Sequence, residues 1–162
     1  TKADAEMAVG MTKYPPMGFR GVGLARAQGY GVDFDDYVTR ANNDSLLIVQ
    51  IEHIDAVNNI EEILSVPGID GTFLGPYDLS MSLGIPGQLS HPKVIAAKEK
   101  VLQATLAKGL AAGIHFVQPL TAEDDFKKAI LAGYTFIAVG TDILFLGDSA
   151  RKLQSNLMKS LG

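Results

Sequence analysis

Two apolar, strand-like runs of this chain end in side chains of the kinds that bind cations. Gln50 and Glu52 close the run 46–52, and Asp78 follows the run 72–75. Because successive side chains of a strand alternate between its faces, Gln50 and Glu52 lie on the same face. Carboxylates at neighbouring strand ends suit a hard divalent ion such as Mg²⁺ or Mn²⁺, whose other positions hold water or substrate oxygens. The sequence therefore predicts one divalent metal site formed by Glu52 and Asp78.

The same strand ends offer contacts for a small substrate. A bound divalent ion can accept a 2-oxo acid through two oxygens and stabilise its enolate. We expect the Gln50 amide to donate to a substrate oxygen and the backbone N–H of Tyr77 to donate to a carboxylate. Structural roles remain open for both acids: Glu52 as an exposed cap of the next helix, and Asp78 as the N-cap of the turn that follows.

Other polar residues near strand ends favour structural roles. His115 ends the third predicted strand and is expected to line a pocket rather than to act in catalysis. His53 is expected to be a loop residue and His91, before a proline, a helix-entry residue. Arg20 lies between glycines, either in a tight turn or reaching an anion or a neighbouring chain. No lysine ends a predicted strand, which disfavours an aldolase that works through a Schiff base.

Helix and strand patterns alternate along the chain. Apolar runs predict strands near 46–51, 71–75, 110–116 and 135–139, the first buried on both faces. Helices are predicted over 3–12, 33–42, 56–64, 91–108, 121–131 and 142–161, the fifth capped by Thr121, with a loop over 80–87. This alternation predicts an α/β fold with a parallel sheet that equals the C-terminal half of a (β/α)8 barrel. Its open edges would need strands from another segment or chain.

Composition excludes several classes of partner. The 162 residues are 47% hydrophobic and 20% charged, with a net charge of −4 and no basic cluster, which argues against nucleic acid and anionic membranes. There is no cysteine, hence no disulfide, thiolate ligand or cysteine nucleophile. No apolar run approaches the ~20 residues of a membrane span. A cytoplasmic location is the expectation.

Six short motifs occur in an informative order. They are YPPMGFRGVG at 14–23, VQIE at 49–52, GIDG at 68–71, GPYDLS at 75–80, HP at 91–92 and AVGTD at 138–142. Together they resemble the HpcH/HpaI aldolase family over nearly the whole chain. Its members are class II, pyruvate-specific aldolases, among them 4-hydroxy-2-oxoheptanedioate, 2-keto-3-deoxy-L-rhamnonate and 2-dehydro-3-deoxyglucarate aldolases.

The resemblance implies a reaction and an assembly. The reaction would be reversible cleavage of a 4-hydroxy-2-oxo acid to pyruvate and an aldehyde through a metal-bound enolate. Glu52 and Asp78 would bind Mg²⁺, Mn²⁺ or Co²⁺, while Gln50, Asp78 and the Tyr77 N–H would contact pyruvate. The family barrel is usually a hexamer that exchanges its last helix, which would place 142–161 at a subunit interface.

The chain also departs from the family pattern. The family's histidine base and pyruvate-binding arginine precede the position that matches Thr1, so no catalytic residue is assigned in this chain. Residues 1–162 would form a single partial barrel domain without turnover of its own. Two alternatives stay open: a citrate-lyase-type barrel acting on acyl-CoA esters, and a non-catalytic metal- and pyruvate-binding module that assembles with a complementary chain.

Overall fold

A parallel sheet forms the centre of the computed structural model, which describes residues 1–117 and 123–161. Its strands are β1 (Ile48–Ile51), β2 (Gly71–Leu74), β3 (Ala111–Phe116) and β4 (Phe136–Val139). They lie side by side in the order β1-β2-β3-β4, and every neighbouring pair is parallel. This confirms the α/β prediction, with the strand arrangement of half a (β/α)8 barrel.

Helices connect and flank these strands. They are α1 (Lys2–Thr12), α2 (Phe34–Asp44), α3 (Ile54–Asn58), α4 (Ile60–Ile63), α5 (Pro76–Ser82), α6 (Pro92–Ala107), α7 (Glu123–Ala132) and α8 (Asp142–Leu161), with a short 3-10 segment at Arg26–Gly31. The predicted cap Thr121 lies outside the described residues. Within those residues, none of the helices combines the length and the apolar character needed to cross a bilayer.

The two faces of the sheet differ in cover. Ile51, Leu74, Ile114 and Ile137 are in register along one face, the first three are buried, and this face forms the core. The opposite face carries Gln50 and its register partner Phe73, and the side chain of Gln50 is exposed. The prediction that the first strand is buried on both faces was therefore wrong. Within the described residues, the elements that cover β1 pack only on the face that carries Ile51.

Two predicted boundaries also differ from the structure. The helix expected over 56–64 is divided into α3 and α4 at Asn59, whose side chain donates to the carbonyl of Asp55 at 2.8 Å. Asparagine competes in this way with the helical hydrogen-bond pattern. The loop expected over 80–87 begins later, because proline at the first helical position starts α5 at Pro76.

The entry to β1 is held by polar contacts from the residue after α1 and the residue before β2. Buried Lys13 donates from Nζ to the carbonyls of Asn42 and Ser45, each at 2.7 Å, at the C-terminal end of α2. Asp70 accepts the N–H of Leu47 on its carboxylate at 2.7 Å and donates its own N–H to the Leu47 carbonyl at 2.9 Å. These bonds fix where β1 begins, and so where Glu52 emerges.

The terminal helix α8 stands apart from the core. None of its residues is buried, and Leu146 and Leu153 are 73% and 61% exposed. The apolar side of α8 therefore does not belong to the core of the described chain. That apolar side is left available for a contact outside the described chain.

Candidate active site

A small pocket lies at the carboxyl ends of the strands, where parallel α/β folds place their sites. Its volume is about 110 Å³, and its lining consists of Gln50, Phe73, Gly75, Pro76, Tyr77, Asp78, His115 and Val117. Pockets for drug-sized ligands measure about 300–1,000 Å³, so this one suits a much smaller molecule. Three of the predicted site residues, Gln50, Tyr77 and Asp78, are thus brought together.

Glu52 adjoins this pocket through Gln50 rather than lining it. The Nε2 of Gln50 donates to Oε2 of Glu52 at 2.6 Å, and the glutamate is half-buried just past the end of β1. A carboxamide nitrogen carries two hydrogens, so one donor of Gln50 remains for another acceptor. The contact orients the Glu52 carboxylate while leaving Gln50 able to donate toward the pocket.

Gly75 leaves the space that the Glu52 carboxylate occupies. A Cβ at this position would lie 2.7 Å from Oε2 of Glu52, 2.9 Å from its Cβ and 3.4 Å from Nε2 of Gln50. The N–H of Gly75 donates to the carbonyl of Ile51 at 3.1 Å, which sets this close approach between neighbouring chain segments. Glycine is required here because the carboxylate and any side chain cannot share the same volume.

Tyr77 and Asp78 lie in the first turn of α5, not at a strand end. β2 ends at Leu74, Gly75 occupies the N-cap position and Pro76 is the first helical residue. The expectations of Asp78 at a strand end or at an N-cap were therefore wrong. The N–H of Tyr77 has no acceptor within the helix at this position. Anionic groups are stabilised near this end of a helix, which favours a ligand carboxylate there.

Two serines fix α5 against its neighbours. Ser80, fully buried, donates to the carbonyl of Tyr77 at 2.6 Å and accepts the N–H of Gly87 at 2.8 Å. Ser82 donates to the carbonyl of Leu79 at 2.8 Å and accepts the N–H of Ile54 at 3.0 Å. The Ser82 contact connects the helix of Asp78 to the segment that directly follows Glu52.

His115 lines the same pocket from the end of β3, as expected. Its Nε2 lies 3.1 Å from the carbonyl oxygen of Gly140, at the end of β4. Its ring centroid is 6.2 Å from that of Phe73, which also lines the pocket. The ring is thus held between two strands at the edge of the pocket.

The remaining candidates have structural roles. His53 and His91 are the N-caps of α3 and α6, each accepting a backbone N–H on Nδ1 at 3.2 Å. The guanidinium carbon of Arg20 lies 4.8 Å from the ring centroid of Tyr14, and Nη2 donates to the hydroxyl of Tyr37 at 3.2 Å. Arg20 therefore holds its loop to α2, and its contacts do not favour the anion-binding alternative.

Two larger hollows adjoin the site, with Gln50 bordering the first and His115 bordering the second. One of about 410 Å³ runs along the open edge of β1 beside α1, and one of about 450 Å³ lies between α6 and α7. In the second, burial lowers the pKa of Lys98, opposed by the nearby charge of Asp125. Neither hollow gathers Gln50, Tyr77 and Asp78, so the smaller pocket remains the candidate site.

The donor set beside the pocket fits a hard cation. No three His, Cys, Asp or Glu side chains gather within 1–117 and 123–161 in the manner of a closed metal cage. Mg²⁺ is commonly held by one or two carboxylates, with water and substrate oxygens completing its coordination. The oriented carboxylate of Glu52, beside the space left by Gly75, meets that requirement, with Asp78 as the second carboxylate.

Sequence reasoning missed Gly75, Ser80 and Ser82. The signal for the helix was present, since a Gly-Pro pair before a polar turn marks a helix start. The packing of Gly75 against Glu52 and the bond from Ile54 to Ser82 depend on the pairing of β1 with β2. That pairing brings residues more than 20 positions apart into contact.

Comparisons with known proteins agree with this geometry. The chain is 40% identical over 158 residues to a hydroxypyruvate/pyruvate aldolase from Cupriavidus necator, covering 96% of this chain and 57% of that protein. It is 42% identical over 146 residues to a 2-keto-3-deoxy-L-rhamnonate aldolase from Klebsiella pneumoniae, covering 89% of this chain and 53% of that protein. The chain thus spans little more than half the length of these relatives.

A solved structure shows the same arrangement of elements. A HpcH/HpaI aldolase/citrate lyase family protein from Burkholderia cenocepacia superposes with a TM-score of 0.86 at 36% identity, covering 98% of this chain and 62% of that one. The model of the HpcH/HpaI aldolase/citrate lyase family itself matches residues 1–147. This chain therefore belongs to the HpcH/HpaI aldolase/citrate lyase family.

Proposed function

We propose that this chain forms the metal- and pyruvate-binding part of a divalent-metal aldolase. The reaction is the reversible cleavage of a 4-hydroxy-2-oxo acid to pyruvate and an aldehyde. The observation that carries the proposal is the convergence of Gln50, Tyr77 and Asp78 on one small pocket, with Glu52 hydrogen-bonded to Gln50 beside it. Relatives named as pyruvate and 2-keto-3-deoxy-L-rhamnonate aldolases support the same reaction class.

Each side chain has a separate task in this proposal. Glu52 and Asp78 hold the ion, which can be Mg²⁺, Mn²⁺ or Co²⁺. When bound, the ion supplies positive charge for the oxygens of a 2-oxo acid. Gln50 keeps Glu52 oriented and directs its second N–H at the substrate, while the Tyr77 N–H donates to the substrate carboxylate. Phe73 and Val117 give the pocket an apolar wall.

No proton-transfer group is assigned to residues 1–162. The pocket's lining contains no group that matches the family's histidine base, and His115 is not given that role. We expect the purified 162-residue chain to bind metal and pyruvate without cleaving substrate. Robust metal-dependent release of pyruvate by this chain, measured with a coupled reductase assay, would refute the assignment.

Assembly is part of the proposal. Residues 1–162 constitute one partial barrel domain, working in the cytoplasm as a homo-oligomer, a hexamer by family resemblance. The exposed apolar side of α8 supports a place at a subunit interface, as expected for an exchanged terminal helix. The alternative is a binding module without turnover that another chain completes. A complementation assay distinguishes it from the aldolase: restored release of pyruvate supports the aldolase, and no release with any complementing segment supports the module.

The alternative of a lyase acting on acyl-CoA esters has less support than the aldolase reaction. CoA phosphates would need a basic surface, whereas the net charge is −4. The relatives from Cupriavidus necator and Klebsiella pneumoniae are named as aldolases, which favours the aldolase reaction.

The deciding experiment compares metal binding by matched carboxylate variants. Glu52→Gln and Asp78→Asn each remove one charge from the site while keeping the side-chain shape. Both should lose Mn²⁺ binding, measured by electron paramagnetic resonance, and with it metal-dependent pyruvate binding. Glu61→Gln and Asp36→Asn change exposed acids elsewhere and should bind Mn²⁺ normally. Retained affinity in both site variants would rule out the site.

A further inference from the structure

We propose that the hollow between α6 and α7 binds a small carboxylic acid with an apolar body, whose carboxylate pairs with Lys98. This inference goes beyond the proposed aldolase reaction and does not depend on it. The hollow measures about 450 Å³, within the range of about 300–1,000 Å³ that is typical of sites for small organic molecules. It therefore suits a larger ligand than the pocket beside Glu52, which measures about 110 Å³.

Apolar side chains supply much of the lining of this hollow. They are Pro76, Leu89, Ile95, Ile114, Phe116, Ala129 and Ala132. Ile95 lies on α6 and is 53% exposed, and Ala132 at the end of α7 is also exposed. A ligand with an apolar body would remove this surface from water, which is favourable in proportion to the apolar area covered.

The charged groups of the lining favour an anion. Lys98 on α6 and Lys128 on α7 both line the hollow, and Asp125 is the one carboxylate among its described lining residues. Nζ of Lys128 lies 3.4 Å from Oδ1 of Asp125, so these two charges compensate each other. Glu99 lies outside the lining, and its Oε1 accepts a hydrogen bond from Nε2 of Gln103 at 2.9 Å. The lining therefore carries one positive charge in excess, on Lys98.

Lys98 holds its charge in a partly desolvated position. Burial lowers the pKa of Lys98, and the charge of Asp125, on the opposite wall of the hollow, acts in the reverse direction. The effect of Asp125 indicates that the ammonium is directed toward α7. An ammonium removed from water is costly unless a negative group pairs with it. A ligand carboxylate would provide that group through charge-assisted hydrogen bonds, which are roughly twice as strong as neutral ones.

The hollow is distinct from the candidate metal site, although the two share a wall. Pro76 and His115 line both cavities, whereas Gln50, Tyr77 and Asp78 line the smaller pocket and not the hollow. Binding in the hollow should therefore not require a metal ion. This independence allows the inference and the proposed function to be tested separately.

The test uses 2-naphthoate as the probe and the full 162-residue chain without added metal. Calorimetric titration compares it with 2-naphthalenemethanol, which has the same rings but no charge. We expect the acid to bind at least ~10-fold more tightly than the alcohol. Lys98→Met, which keeps a long side chain, should remove this preference, and Lys98→Arg should keep it. Lys100→Met, at an exposed position of the same helix, should bind as the unaltered chain does.

Methyl NMR spectra give the location of the probe. The methyl resonances of Ala129 and Ala132, which line the hollow, should shift in the ring current of the bound naphthoate. The methyl resonance of Ala41, which is buried on α2 and does not line the hollow, should not shift. Shifts that spare both Ala129 and Ala132 would overturn the inference.

The remaining outcomes separate the two proposals. An unchanged preference for the acid in folded Lys98→Met would overturn the inference, as would weaker naphthoate binding by Glu52→Gln, because the probe would then occupy the metal site. Absent naphthoate binding with normal Mn²⁺ binding would overturn the inference alone. Naphthoate binding by an unaltered chain that binds no Mn²⁺ would overturn the proposed function alone.

Discussion

The backbone N–H of Ile54 donates to Oγ of Ser82 at 3.0 Å and connects the two segments that carry the site's carboxylates. Ile54 follows Glu52 by two positions, and Ser82 lies at the end of α5, whose first turn contains Asp78. The two acids are thus far apart in sequence but are held by one short hydrogen-bonded bridge. Their relative position depends on this contact as well as on the sheet.

Ser82→Ala should therefore weaken both the fold and the metal site. Losing the acceptor for the N–H of Ile54 should lower the free energy of unfolding by about 1 kcal/mol. Mn²⁺ affinity should also fall, because α5 and the segment after β1 are no longer tied. The matched control is Ser65→Ala, since Ser65 also donates to a carbonyl three residues earlier but makes no long-range hydrogen bond with residues 1–117 or 123–161. Equal Mn²⁺ affinity in both variants would contradict the positioning role.

Gly75→Ala should weaken metal binding as well as the fold. Its new Cβ would lie 2.7 Å from Oε2 of Glu52, so the carboxylate must move out of its hydrogen bond with Gln50. We expect Mn²⁺ affinity to fall by at least ~10-fold, with a loss of stability of about 1–3 kcal/mol. Calorimetric titration and urea unfolding measure the two effects separately. Gly23→Ala, where a Cβ meets nothing within 4 Å, should change neither.

The alternation of helices and strands was predictable, but several contacts that build the site were not. Apolar runs and amphipathic helices are local patterns, and they located all four strands of the sheet. The split at Asn59 arises from one side-chain hydrogen bond, which propensity alone does not reveal. The helix that starts at Pro76 was not predicted, because the polar residues after Pro76 were interpreted as a strand end and a loop.

Long-range contacts set the limit of sequence reasoning here. The two-residue strand period predicted that Gln50 and Glu52 share a face, and the structure adds the hydrogen bond between them. The bond of His115 to Gly140 links residues 25 positions apart and requires the register of β3 with β4. That register is a property of the assembled sheet and is not encoded in either strand alone.

Lys13→Met should destabilise the fold without directly touching the site. Nζ of Lys13 is the donor to two carbonyls at the end of α2, and the residue is only 4% exposed. Methionine fills similar space but leaves both carbonyls without this donor, at a cost of about 2–4 kcal/mol. Urea unfolding measures the change. Lys100→Met, at an exposed position of α6, should stay within ~0.5 kcal/mol of the unaltered chain.

Tyr134 should make the fold sensitive to alkaline pH. Burial, followed by the nearby charge of Glu99, raises the pKa of Tyr134 to about 12. The unfolded chain, with an ordinary tyrosine pKa of about 10, loses this proton first as the pH rises. Its contribution to stability is thus complete below pH 10 and is lost between about pH 10 and 12, by at most ~1.4 kcal/mol per pH unit.

Comparing unfolding curves at about pH 9 and pH 11 isolates this effect. Tyr134→Phe should lose less stability over this interval than the unaltered chain, because phenylalanine has no proton to release. Tyr30→Phe, at a residue that is 73% exposed, should behave as the unaltered chain does. The same loss in all three proteins would show that other groups determine the alkaline response.

Leu153→Glu should change the assembly rather than the fold of the chain. Leu153 lies on α8, 61% exposed, so a charge there disrupts no buried contact within the chain. If the apolar side of α8 packs on a second subunit, the charge must be desolvated there and the oligomer should dissociate. Light scattering coupled to gel filtration should show a lower mass with an unchanged circular dichroism spectrum. Ser155→Glu adds the same charge two residues away and should leave the mass unchanged; equal masses for the leucine variant and the unaltered chain would exclude Leu153 from the interface.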